Sequence, residues 1–181
     1  KINNVNLNNQ SNIELLIGLR VQFPENDSDF STSGNENFIL DSTLNQVKSR
    51  CSGFIVDQPP HDKAYFYSQM TAVKNYFYSV SNEIIDFEVE MTESVITANN
   101  NMSYYAGEDS RLGDLFIESI NNFENEIIDI LENYFDNIEL GLEKSIIVLF
   151  HAGIGQDFSV PFLDPTPNDL SSAYIEESML N

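Results

Sequence analysis

The run from Leu15 to Phe23 places the tightest constraint on the fold. Leu15, Ile17, Leu19, Val21 and Phe23 alternate with Leu16, Gly18, Arg20 and Gln22, the two-residue period of a strand, and the start of the run is apolar on both faces. A strand with two apolar faces needs a layer on each side of it, so this one belongs at the centre of a sheet. Pro24 has no N–H to give to a ladder and ends it. A second apolar run, Ser145 to Phe150 (SIIVLF), is short, continuous and rich in β-branched residues, as a buried strand is.

Two helices are legible between these strands. Asp62 follows Pro59-Pro60 and is placed to cap a helix reaching about Ser81, in which Tyr65, Phe66, Met70, Val73, Tyr76, Phe77 and Val80 recur at spacings of three and four. From Leu112 to Phe135, Leu115, Phe116, Ile120, Phe123, Ile127, Ile130, Leu131 and Tyr134 keep helical spacing with acids between them. Asn121-Asn122 could divide that stretch into two, because Asn is a poor helix former.

The weaker segments are assigned by the same rules. Ile84 to Met91 alternates apolar residues with Asp86, Glu88 and Glu90, a half-exposed strand with an acidic outer face that Glu93 to Ala98 partners or continues. Phe38–Leu44, Ser49–Val56 and Ala173–Leu180 are short strand candidates. Pro24 to Asn37 is a surface loop by its Asp, Asn, Ser and Gly content, and its acids do not follow the spacing of an EF-hand. Met102 to Tyr105 reads as an aromatic knot in a loop, Gly141 as punctuation, and Ser159 to Asn168, with three prolines, as extended or turn-rich. Residues 1–12 form an Asn-rich N-terminal arm and 13–181 a single α/β domain, an α+β arrangement with a twisted mixed sheet and two long helices.

Composition limits the function. Eight Lys and Arg against 29 Asp and Glu give a formal charge of -21, which opposes approach to nucleic acid or anionic lipid. The longest apolar run is strand length, far below the roughly 18 residues of a membrane span, so membrane insertion is not expected. A single cysteine, Cys51, allows neither an intrachain disulfide nor a cysteine zinc cluster and reads as a small packing residue.

The segment with most chemical content follows the second apolar strand: His151-Ala-Gly-Ile-Gly-Gln-Asp157. Loops at strand ends often hold sites, so His151, Gly153, Gly155, Gln156 and Asp157 form a candidate site-proximal loop. His151 is an acid, base or ligand on the functional reading, and an imidazole bonded to a neighbouring carbonyl on the structural one. The glycines are followed by a proline-rich stretch in place of a helix and a basic residue, which excludes a phosphate loop. A His-Ala-Gly strand end also suggests a caspase-like cysteine peptidase, but Cys51 lies far upstream of where that nucleophile belongs. With His61 and His151 the histidine supply is exhausted and there is no HExxH, so no catalytic residue, metal ligand or cofactor motif is assigned to this chain.

Four segments together resemble the N-terminal part of the bacterial immune-inhibitor-A-type metallopeptidases: Leu15-Leu-Ile-Gly-Leu-Arg-Val-Gln-Phe-Pro24, Ala72 to Ser81 leading into Phe87-Glu-Val-Glu90, Met102-Ser-Tyr-Tyr-Ala-Gly107, and Ile146 to Gly155. The resemblance spans roughly Leu15 to Tyr174. It implies the upper subdomain of a zincin, a twisted sheet with a backing helix, standing before the helix that bears HExxH. It further implies a secreted or extracellular zinc endopeptidase acting on protein or peptide, with zinc held by the full-length parent on residues beyond Asn181. The competing expectation is a non-catalytic extracellular or cell-surface module that keeps the sheet and binds or builds.

Overall fold

The computed structural model describes residues 13–26, 28–41, 59–106, 111–156 and 166–175. Its elements are β1 (Leu15–Gln22), α1 (Lys63–Val80), β2 (Glu88–Met91), β3 (Ile96–Thr97), α2 (Met102–Ala106), α3 (Leu112–Tyr134), α4 (Ile138–Glu143) and β4 (Ser145–His151). The N-terminal arm, Cys51, the candidate strand Ser49–Val56 and Asp157 lie outside the described residues.

β1 is the centre of the sheet. β4 pairs along its whole length, from Leu15 opposite Ser145 to Val21 opposite His151. On its other side β2 pairs with its first half and β3 with its second, at Leu15 opposite Glu88 and Val21 opposite Ile96. All three pairings are parallel, which corrects the mixed sheet expected from the sequence. The reason is that β2 and β3 do not fold back on each other. They form one row along β1, interrupted by Thr92–Val95, and each passage between paired strands is a long crossover.

The interruption is held from both sides. Arg20 Nη2 donates to the carbonyls of Glu93 at 2.7 Å and Ser94 at 3.4 Å, and the Glu126 carboxylate accepts from Glu93 N at 2.6 Å. Arg20 is buried, and that burial lowers its pKa against the raising influence of Asp62, Glu93 and Glu126.

Layers cover both faces of β1, as its two apolar faces require. Leu15, Ile17 and Leu19 pack with Phe123, Ile127 and Leu131 of α3, and Val21 and Phe23 continue that face with Met102, Tyr105 and Leu115. On the opposite face Leu16 packs with Phe66 and Met70 of α1 and with Phe87, Val89 and Met91. Gly18 lies beneath α1, where a Cβ would come within 2.0 Å of Met91 Sδ and 2.6 Å of Met70 Sδ. A side chain there would push both methionines aside, so the glycine lets α1 lie close to the sheet.

Asp62 caps α1 as expected, accepting from Tyr65 N at 2.9 Å. α3 is one helix; Asn122 turns its amide back onto Glu118 O at 2.8 Å and does not break it. Four other segments differ from the sequence reading. Ile84–Phe87 is not strand, because Asn82 and Glu83 take positive φ (54° and 65°) and turn the chain there. Met102–Ala106 is a helical turn. Gly141 is buried inside α4, against Phe135 and Leu131. β4 is only half-buried, since among the described residues it pairs with β1 alone. Residues 38–41 and 173–175 carry no strand, and the rest of those two candidates lies outside the described residues.

Candidate functional site

β1 and β4 end side by side, and the helices that follow β1 and precede β4 lie on opposite faces of the sheet. Open α/β sheets place ligands outside the carboxyl ends of the strands where the winding reverses in this way. Three segments meet at that end: residues 28–37 after β1, His151–Gln156 after β4, and Thr166–Leu170.

Side-chain hydrogen bonds tie the three segments together. Ser33 Oγ accepts from Ile154 N at 2.7 Å, and Ser33 N donates to Asp169 Oδ1 at 2.7 Å. The other Asp169 oxygen accepts from the Thr166 hydroxyl at 2.7 Å. Asn168 bonds Ser31 twice, through its backbone N–H to the carbonyl and through its side-chain amide to the hydroxyl. Gln156 N donates to Leu170 O at 2.8 Å. Asp169 is 3% exposed, and a carboxylate that deep in a protein has to be hydrogen-bonded.

A second buried carboxylate braces the adjoining layer. Glu36, 1% exposed, accepts from the Thr32 hydroxyl at 3.0 Å and from Met102 N, at the start of α2, at 2.9 Å. Its own carbonyl accepts from Phe23 N at 3.0 Å. Glu36 holds φ 66°, a conformation side chains seldom adopt. Asp29 lies at the rim, and the Ser31 hydroxyl bonding to it holds its carboxyl below the usual range.

The residues singled out from the sequence divide as follows. His151 ends β4 half-buried, with Nδ1 3.0 Å from Ala152 O, so its imidazole meets a neighbouring carbonyl. Gly153 has φ 98°, and a Cβ on it would stand 2.5 Å from Met102 Cε; the loop crosses α2 there because only a glycine fits. Gly155 is half-buried beside Gln156, whose side-chain oxygen is buried with no hydrogen-bond partner among the described residues. His61 is in the loop before α1, with its N–H on Ile39 O at 2.8 Å and its ring 5.1 Å from that of Tyr65.

The sequence reading missed Glu36, Asp169, Ser33 and Thr166, placing Glu36 and Ser33 in a surface loop and Thr166 in a proline-rich stretch, and assigning Asp169 to no element. The contacts from Glu36 to Met102 and from Ser33 to Asp169 join positions more than 60 residues apart, which no local pattern encodes. Among the described residues no group of three or more His, Cys, Asp or Glu side chains could hold a metal ion. No described helix is long and apolar enough to cross a membrane. No family model matches the chain, and no curated protein or solved structure does either.

Proposed function

We propose that the chain is the N-terminal part of a secreted zinc-dependent endopeptidase-like domain of the immune-inhibitor-A type. The observation that carries this reading is the contact between Gly153 and Met102. It brings together two of the four segments that resemble that family, the strand ending in His-Ala-Gly-x-Gly and the Met-Ser-Tyr-Tyr segment, at a point that tolerates no side chain. The first resembling segment, β1, lies between β4 and the strand that follows the second, so all four belong to one packed unit.

The described residues do not themselves fit zinc. They offer no three-ligand group, and both histidines are engaged in local contacts. On this reading the zinc, and the Lewis-acid chemistry it supplies to a bound water, belong to the native full-length protein. The part seen here supplies the central sheet and the pinned loops at its carboxyl end, and protein or peptide is the substrate of the whole. A second reading, a non-catalytic extracellular binding module, is favoured by one specific observation: the carboxylates of Asp169 and Glu36 are both spent on joining loops.

Intact mass and elemental analysis of the protein from its native source separate the two. A stoichiometric zinc, with hydrolysis of a denatured protein substrate that a chelator abolishes, is the expected result. A protein that carries no zinc and leaves that substrate whole supports the binding module.

A further inference from the structure

We draw no further inference here: the strongest candidate, the side-chain cluster around the buried Arg20 of β1, whose Nε has no hydrogen-bond partner among the described residues, belongs to the clamp on Glu93 and Ser94 already described, and the acids that act on it, Asp62, Glu93 and Glu126, leave nothing to show which ligand would join them.

Discussion

The two long helices cover opposite faces of the same strand and do so unequally. α3 buries Leu115, Ser119, Phe123, Ile127 and Leu131, a stripe at four-residue spacing, while its acids stay outside. α1 buries only Phe66 and Met70, and residues 75–80 are all exposed, although Tyr76, Phe77, Tyr78 and Val80 stand among them. Aromatic and β-branched residues are weak helix formers in isolation, so α1 draws its stability from what it touches. The difference teaches that apolar spacing in a sequence gives a helix its face but does not say how much of that face finds a partner within the same layer.

The largest effect expected of this contrast is at Phe123, 1% exposed in the core under α3. Phe123→Ala should cost about 3 to 5 kcal/mol of unfolding free energy, whereas Phe77→Ala on α1, 41% exposed, should cost less than about 1 kcal/mol. Urea unfolding of the two variants checks this, and equal losses would break the contrast. Next in size is Gly18→Ala, where the new methyl meets the sulfurs of Met70 and Met91. The expected loss is about 1 to 3 kcal/mol by overpacking, with the helical signal of α1 weakened before that of α3. Unchanged stability would mean that α1 is held less closely to the sheet than its packing on β1 implies.

The smallest effect concerns the far end of α3. The Tyr134 hydroxyl donates to Glu90 Oε1 at 2.6 Å, and this bond, with some burial, pushes the phenol from 10.0 up to about 12. A raised pKa means that the folded state keeps a proton the unfolded chain releases. The contribution is therefore fully present below pH 10 and is lost as pH rises toward 12. Solvent at this half-exposed site reduces its size. In wild type the stability should decline over that window, and Tyr134→Phe should flatten that part of the decline; alkaline unfolding curves that superimpose would remove the tie between α3 and β2.

The edges of the sheet repeat the lesson of the helices. Acids alternating along Glu88–Met91 mark the β2 edge as half-exposed in sequence and in structure. The continuous apolar run of β4 reads as a buried strand, yet it is half-exposed. Period alone separates a one-faced strand from a two-faced one, but a two-faced strand is buried only when something lies on both its edges and both its faces.

The sequence by itself determined the central strand with its stop at Pro24, the cap at Asp62, the α3 stripe and the strand running into His151, because each follows from local stereochemistry or from a repeat within a few turns. Tertiary structure alone decided the parallel register, the single row of β2 and β3 clamped by Arg20 and Glu126, and the carboxyl-end joints through Ser33, Asp169, Glu36 and Met102. Those depend on polar groups far apart in the chain that become neighbours only when the layers close. The cost of leaving a carboxylate or an N–H buried and unpaired then fixes which of them must meet.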